Sequence, residues 1–197
     1  MWKEAEKFLL KDKYITPLIK KWGSCTIKIS PKSRYFTDLV ESIANQQLSG
    51  KAAATIFGRV KVLCDGKIEP EIILKLSEAE LRKAGLSFAK IRYIKDLAVR
   101  AKDGQLSLGS LNKLSDEEVI EKLVMVKGIG RWTAEMFLMF SLARPDIFPV
   151  DDLGIKKGFE KVTGKDFDKD KSFKFALRSW APYRTVASWY LWRSLEN

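Results

Sequence analysis

The chain has 197 residues, 46% of them hydrophobic, and its 36 Lys plus Arg against 25 Asp plus Glu give a formal net charge of +11. It contains two cysteines and no histidine, so a four-cysteine iron–sulfur site, a zinc site of several Cys and His ligands and a Ser-His-Asp triad are excluded. The basic excess indicates a polyanionic partner, with DNA or RNA first, although lysine-rich surfaces also occur in proteins that bind no nucleic acid.

The N-terminal segment and the cysteines indicate an intracellular protein. The first residues, MWKEAEKFLLKDKY, are charged throughout and hold no apolar segment of signal-peptide or membrane-span length. Cys25 and Cys64 are expected to pack as small buried groups in a reducing compartment. We therefore expect no membrane association, and a location in the cytoplasm or nucleoid of a prokaryote or the nucleus of a eukaryote.

Helical periodicity dominates the first part of the chain. Apolar positions within 3–22 predict two short helices that are broken near Pro17. The alternating sequence TIKI at 26–29 predicts a short extended piece. One apolar helical face covers 36–47, and a second helix is predicted over 51–63.

Capping signals and amphipathic runs predict helices in the rest of the chain. Two capping boxes, Ser77 with Glu80 and Ser115 with Glu118, start short helices. Further helices are predicted over 90–102, 131–142, 153–162, about 170–179, and 182–194, where Pro182 suits the first turn. The fold class is therefore all-α, with about ten helices.

The stretch from Val126 to Asp152, VKGIGRWTAEMFLMFSLARPDIFPVDD, organises the chain. Gly128 and Gly130 lie in a turn between two predicted helices, which is the pattern of a helix-hairpin-helix, and they permit close backbone approach. The helix that follows begins with unpaired N–H groups and a positive dipole end, which suit a phosphate. By itself, a Gly-x-Gly turn is a weak signal.

Several segments together resemble the helix-hairpin-helix DNA glycosylase superfamily, and in particular its 3-methyladenine DNA glycosylase II group. The segments, in the order of that group and over roughly 14–194, are IANQQLSGKAA, LRKAGLSFAKIRYIKDLA, GIGRWTAEMFLMF, FPVDDLGIKK and WAPYRTVASWYLWR. The resemblance implies a two-lobed all-α fold with the active site in the cleft between the lobes. Lobe one is expected at 45–142, with the hairpin unit at 123–140, and lobe two joins 1–44 to 143–197.

The resemblance implies that Asp152, directly before Leu153-Gly154-Ile155-Lys156, is the catalytic carboxylate. Cleavage of an N-glycosidic bond develops positive charge on the sugar, and a carboxylate in a water-poor site stabilises this charge and orients the attacking water. Taken locally, an Asp that enters a helix is commonly an N-cap. Asp151 is expected to be the cap or a solvent-facing acid.

Trp132 decides between two mechanisms that the resemblance allows. Members that also cut the strand carry a lysine in this region of the hairpin helix, whereas a tryptophan stands here, which implies direct displacement by water. Trp132 and Met136 share a helical face. Two apolar side chains on one helical face more often belong to a hydrophobic core. The resemblance implies instead that they form the wall of a base pocket, together with Leu153 and Trp192. Indoles stack well on a cationic alkylated purine.

The resemblance also implies DNA contacts. Gln47 matches the position of the side chain that fills the gap left by a flipped-out nucleotide, although a polar helix end is an equally good interpretation. The hairpin N–H groups would meet a phosphate, and its carbonyls can hold Na+ or K+, with no cofactor required. The expected contacts are Gln47, Ser49, Lys127, Gly128, Ile129, Gly130, Arg131, Thr133 and Lys156, the last of which could equally lie on a solvated surface.

The expected function is the monofunctional removal of alkylated purines from double-stranded DNA by a monomer. The chief substrate would be 3-methyladenine, with 7-methylguanine and 1-methyladenine as further candidates. The alternatives are a bifunctional glycosylase/lyase acting on another damaged base, a non-catalytic helix-hairpin-helix DNA-binding protein, and a basic interaction protein with no DNA role.

Arg184, after Tyr183, would brace the last helix or a phosphate, or form a surface salt bridge.

Overall fold

The computed structural model describes residues 1–167 and 172–196, and all regular structure within them is helical. The twelve α-helices of these residues are α1 (Lys3–Leu9), α2 (Ile15–Trp22), α3 (Tyr35–Asn45), α4 (Gly50–Leu63), α5 (Pro70–Lys75), α6 (Glu78–Lys83), α7 (Phe88–Lys102), α8 (Asp116–Val124), α9 (Arg131–Phe140), α10 (Leu153–Thr163), α11 (Ser172–Trp180) and α12 (Arg184–Arg193). The all-α prediction is confirmed. Within the described ranges, none of these helices has the length and apolar character needed to cross a membrane.

The chain divides into two compact units. The terminal unit joins Met1–Ile29 to Leu138–Asn197, and the middle unit is Ser30–Phe137. The boundaries predicted from the sequence are at 45 and 142 instead. Helix α3, which that prediction assigned to the terminal unit, belongs to the middle unit. The physical reason is the apolar face of α3, whose side chains are fully buried where it packs against α4 and α7.

Helix α12 lies at the centre of the terminal unit. Seven consecutive residues, 185–191, are buried, which is the pattern of a helix surrounded on all sides. It packs against α2 and α10. On α10, Gly158 permits a close approach, because a Cβ there would lie 2.5 Å from Leu191 O.

Helix α7 has the corresponding role in the middle unit. It packs against α3, α5 and α6 and buries Ile91, Ile94 and Leu97. The sequence predicts its start at Lys90, whereas the helix begins at Phe88 because the Ser87 side chain accepts a hydrogen bond from Lys90 N at 3.2 Å. Both predicted capping boxes, at the starts of α6 and α8, are confirmed as reciprocal hydrogen bonds.

The predictions based on prolines were the least successful. Pro17 does not separate α1 from α2; it lies in the first turn of α2. Backbone N–H groups in the first turn have no acceptor within the helix, so a proline, which lacks this group, is tolerated there. Pro182 precedes α12 by two residues, after a cis peptide bond, instead of standing in its first turn. The unpredicted α5 begins with Pro70.

Two further predictions concern short segments. Residues 26–29, predicted as an extended piece, form no strand in the described structure. The helix predicted at about 170–179 corresponds to α11, and residues 170 and 171 lie outside the described residues.

The close approach of α10 and α12 at Gly158 can be tested by a substitution that adds a single methyl group there. We expect Gly158→Ala to lower the free energy of unfolding by about 2 kcal/mol, as overpacking against a backbone atom does. Gly58→Ala is the matched control, since Gly58 also lies within a helix but has no atom near the added methyl group. It should stabilise the chain by about 0.5–1 kcal/mol. Urea unfolding measures both, and a Gly158→Ala variant as stable as the parent would contradict the packing of α10 on α12.

Candidate active site

Asp152 lies directly before α10 in the terminal unit and is the N-cap of that helix. Its Oδ1 accepts a hydrogen bond from Ile155 N at 2.8 Å and another from the Trp192 indole Nε1 at 2.9 Å. Two N–H donors on one oxygen hold the side chain of Asp152 in a fixed orientation at the start of the helix. The local interpretation of Asp152 as an N-cap is therefore confirmed. Of the two roles left open for Asp151, the structure shows the solvent-facing one, because Asp151 is exposed.

Trp192, predicted as part of a pocket wall, is in direct contact with this carboxylate. Its ring lies 5.9 Å from that of Phe140 and is tilted against it. Gly154 leaves the necessary space, because a Cβ at this position would lie 2.8 Å from two indole atoms. Leu153, the other pocket residue predicted in this unit, is 69% exposed. Sequence reasoning missed the roles of Phe140 and Gly154, which depend on tertiary contacts.

The segment that leads to Asp152 is fixed to the start of α12. Arg184 donates from Nε and Nη2 to the two oxygens of Asp146, at 2.6 and 2.7 Å, and these bonds raise the pKa of Arg184. The buried Thr185 hydroxyl accepts from Ile147 N and donates to Arg144 O. Of the roles that the sequence leaves open for Arg184, the structure therefore places it in a half-buried ion pair beside the last helix.

In the middle unit, the predicted hairpin connects α8 to α9. Gly128 has φ +80°, and a Cβ there would lie 2.1 Å from the Tyr93 ring, so only glycine fits. Ile129 N donates to Val126 O at 3.1 Å and closes the turn. In the described part of the chain, neither Gly128 N nor Gly130 N donates to another backbone group.

The side chains around the hairpin differ from one another in exposure. Ile129 and Thr133 are buried, so only the backbone of Ile129 can meet a ligand. Lys127 is exposed. Arg131 forms ion pairs with Glu117 at 2.9 Å and Glu135 at 3.2 Å, and the hydrogen bond to Glu117 is the main cause of its raised pKa. Its charge is thus partly compensated.

A pocket of about 610 Å³ lies beside the start of α9 within the middle unit. Its lining combines the end of α3, the following loop and the first residues of α9: Ser42, Asn45, Gln46, Gln47, Leu48, Trp132 and Thr133. Trp132 is 43% exposed, which is unusual for a large aromatic side chain that merely fills a core. Met136, one turn further along α9, is half-buried.

The loop after α3 has an unusual backbone. Gln47 is exposed and has φ +57°, a left-handed conformation that costs a residue with a Cβ about 1–2 kcal/mol. Such strain is frequent at functional sites. Ser49 stands at the N-cap of α4 without a capping hydrogen bond from its side chain. The neighbouring Gln46, which the sequence did not single out, donates from Nε2 to Gly128 O at 2.9 Å.

Lys156, the remaining predicted contact, lies on α10 in the terminal unit. It is half-buried, and its Nζ lies 5.5 Å from the centre of the Phe167 ring. The structure thus groups the predicted residues in two sets. Asp152 and Trp192 are in contact in the terminal unit, and Gln47, Trp132 and Thr133 surround one pocket in the middle unit.

A comparison with known families gives this arrangement its class. The chain matches the model of the HhH-GPD superfamily of base excision DNA repair proteins over residues 40–182. This match spans most of the sequence, and it includes the hairpin, the pocket and Asp152. The chain belongs to the HhH-GPD superfamily.

Individual relatives cover most of the chain. DNA-3-methyladenine glycosylase 1 of Schizosaccharomyces pombe is 38% identical over 83% of this chain and 73% of its own length. The alkylbase DNA glycosidase-like protein mag2 of the same yeast is 32% identical, over 98% of this chain and 93% of its own. The resemblance inferred from the sequence segments is thereby confirmed.

Solved structures agree with the fold. DNA-3-methyladenine glycosidase from Bacillus halodurans has a TM-score of 0.86 and 38% identity, over 99% of this chain and 90% of that one. The Schizosaccharomyces pombe 3-methyladenine DNA glycosylase Mag1, in complex with abasic DNA, has a TM-score of 0.82 and 34% identity, over 97% and 96%. The helix-hairpin-helix glycosylase fold is therefore confirmed.

The capping role of Asp152 can be separated from any chemical role. Asp152→Ala should lower the free energy of unfolding by about 1 kcal/mol through the lost N-cap, whereas Asp152→Asn, which keeps an equally good cap, should change it far less. The exposed Asp151→Ala is the control and should be nearly neutral. Urea unfolding measures all three. Equal stability of the Ala and Asn variants would contradict the cap.

Proposed function

We propose that this protein is a monofunctional DNA glycosylase that hydrolyses the N-glycosidic bond of alkylated purines, chiefly 3-methyladenine. The observation that carries the proposal is the carboxylate of Asp152, held at Oδ1 by Ile155 N and Trp192 Nε1. The resemblance of the segment FPVDDLGIKK to the family implies that this is the catalytic aspartate. The names of two relatives, DNA-3-methyladenine glycosylase 1 and the alkylbase DNA glycosidase-like protein mag2, support the substrate class.

Asp152 would act by electrostatics. As the base leaves, positive charge develops on the sugar, and a carboxylate already oriented by two donors stabilises that charge without reorganisation. It would also orient the water that attacks the sugar. An alkylated purine is cationic and leaves readily, so a strong general acid is unnecessary, which suits a chain without histidine.

The absence of an amine at position 132 supports hydrolysis without strand cleavage. A lyase needs a nucleophilic lysine to form a Schiff base with the sugar. Trp132 occupies this position, with Thr133 after it, and the nearby Arg131 is engaged by Glu117. We expect an abasic site with an intact backbone as the product.

The middle unit would supply the contacts to double-stranded DNA. The N–H groups of Gly128 and Gly130 would meet a phosphate, which positions the protein without reading bases. The exposed indole of Trp132 offers a surface on which a cationic base can stack. Gln47, exposed and held in a left-handed conformation, would fill the gap left by the flipped-out nucleotide.

Several accompanying features belong to the same proposal. The hairpin carbonyl oxygens are ligands of the type that Na+ or K+ binds, and a monovalent ion would bind to them. Gly128 O would then contact both the ion and Gln46, from which it already accepts a hydrogen bond. No cofactor is needed for the hydrolysis. The protein would act as a monomer in the compartment that holds the DNA of the cell.

Release of bases from methylated duplex DNA tests the proposal directly. The wild-type protein should release 3-methyladenine, and Asp152→Asn should lower the single-turnover rate about 10²–10³-fold, as the loss of a preorganised electrostatic group does. Asp151→Asn removes a neighbouring exposed charge and should keep the rate. Because Asp152→Asn keeps the N-cap, a folded, DNA-binding variant without activity assigns the loss to chemistry.

The same assay decides between this function and its alternatives. Trapping of a covalent adduct by borohydride would indicate a glycosylase/lyase. Duplex binding without any base release by the wild-type protein would indicate a non-catalytic DNA-binding protein. Base release that persists in Asp152→Asn would contradict the role of Asp152 and make Asp151 the next candidate.

The proposed phosphate contacts predict a salt effect. Lys127→Gln should weaken binding to undamaged duplex DNA and lower the slope of log K against log[salt] by about 1, as the loss of one phosphate contact does. Lys11→Gln, at another exposed lysine just after α1, removes the same charge and should leave the slope unchanged. Fluorescence anisotropy over a range of salt concentrations measures both slopes. Equal slopes in the two variants would place the hairpin away from the DNA.

A further inference from the structure

Three side chains on one side of α7 face the two segments of the middle unit that are proposed to contact DNA. Lys90, Tyr93 and Asp96 stand at i, i+3 and i+6, so they lie on successive turns of one side of the helix. Lys90 points to the loop after α3, and the other two point to the hairpin. None of these three residues was singled out by the sequence.

Lys90 fixes the end of α3 and the loop after it. Its Nζ donates to Ala44 O at 2.8 Å and to Gln46 O at 2.7 Å. The last carbonyls of a helix have no partner within the helix, and a lysine that reaches them satisfies two at once. The side chain is half-buried, and this burial lowers the pKa of Lys90. A partly desolvated ammonium group is costly without hydrogen-bond acceptors, and buried carbonyl groups are costly without a donor, so each partner stabilises the other.

Tyr93 and Asp96 fix the hairpin from the same helix. The Tyr93 ring occupies the space that a side chain at Gly128 would need, and Asp96 Oδ2 accepts from Lys127 N at 2.9 Å and from Arg100 Nε at 3.0 Å. Burial alone would raise the pKa of Asp96, but these hydrogen bonds outweigh it and the pKa is lowered. Asp96 therefore holds the hairpin as a carboxylate.

Gln46 connects the two segments to each other. Its backbone oxygen accepts from Lys90, and its side-chain Nε2 donates to Gly128 O at 2.9 Å. The next residue, Gln47, has the strained φ of +57°. A strained residue keeps its conformation only where the surroundings hold it, and the bonds made by Lys90 and Gln46 lie immediately before it.

We propose that Lys90 is a positioning residue, which holds the loop 46–49 so that Gln47 already has the conformation in which it enters the space left by a flipped-out nucleotide. The inference rests on the proposed function, because it assumes that Gln47 enters the duplex. A loop held in its binding conformation pays no ordering entropy when DNA binds. Lys90 therefore acts through Gln47 and does not touch the DNA.

Lys90→Met tests this role, since it keeps the length of the side chain and removes both hydrogen bonds. The affinity is measured for two duplexes, one undamaged and one that carries a tetrahydrofuran abasic analogue. The wild-type protein should prefer the abasic duplex. Lys90→Met should bind the abasic duplex about tenfold more weakly, the cost of ordering the loop on binding, and should bind the undamaged duplex as the wild type does.

Lys95→Met is the matched control. Lys95 lies on the same helix and also donates from Nζ to a backbone carbonyl, Leu76 O at 3.0 Å, away from both segments. The two variants have the same net charge, so a general electrostatic effect on DNA binding would appear in both. Amide hydrogen exchange gives a second measurement: residues 46–50 should exchange faster in Lys90→Met and at the wild-type rate in Lys95→Met.

The possible outcomes are distinct. Equal losses for both duplexes in Lys90→Met, equal effects of Lys90→Met and Lys95→Met, or unchanged exchange at 46–50 would each overturn the positioning role. Should Lys90→Met fail to fold, Lys90→Leu, which likewise removes the donor, replaces it with the same expectations. Binding to the abasic analogue requires no catalysis. Failure of the wild-type protein to release any alkylated base would therefore overturn the proposed function, whereas the role of Lys90 is decided by the binding and exchange measurements.

Discussion

The burial of α12 on nearly every side is the constraint on which the terminal unit depends. A helix that is surrounded by other elements cannot rotate or shift without opening the core, so its last turn has a fixed position. Trp192 lies in this turn and donates to Asp152 Oδ1, while Arg184 and Thr185 at the other end hold the segment that leads to Asp152. The carboxylate thus takes its orientation from the core packing of the unit.

In the middle unit, the comparable constraint is the pair of segments held by α7. The hairpin N–H groups proposed to meet a phosphate include that of Gly128, which cannot carry a side chain because its φ is +80° and a Cβ would lie 2.1 Å from the Tyr93 ring. The same glycine packs on Tyr93, and its carbonyl accepts from Gln46. The proposed phosphate site and the loop at Gln47 therefore share one set of contacts. Rigid support of this kind is what a site needs when small displacements are costly.

Features that depend on neighbours in sequence could be predicted, and those that depend on distant contacts could not. The capping boxes, the glycine turn and the position of Asp152 are local patterns, and the resemblance of several segments gave the family. The bond from Gln46 to Gly128 spans 82 residues, that from Lys90 to Ala44 spans 46, and that from Trp192 to Asp152 spans 40. No periodicity encodes such pairs. Pro17 and Pro182 misled the prediction because proline is compatible with several positions around a helix start.

In the proposed function, Trp192 orients the Asp152 carboxylate and so affects the reaction through it. Single-turnover release of 3-methyladenine by Trp192→Phe, Asp152→Asn and the double variant tests it most directly as a double-mutant cycle. If Trp192 acts through Asp152, Trp192→Phe slows release in the wild-type background and has little further effect when Asp152 is already Asn. Full additivity of the two losses would contradict it and would return Trp192 to the role predicted from the sequence, a wall of the base pocket.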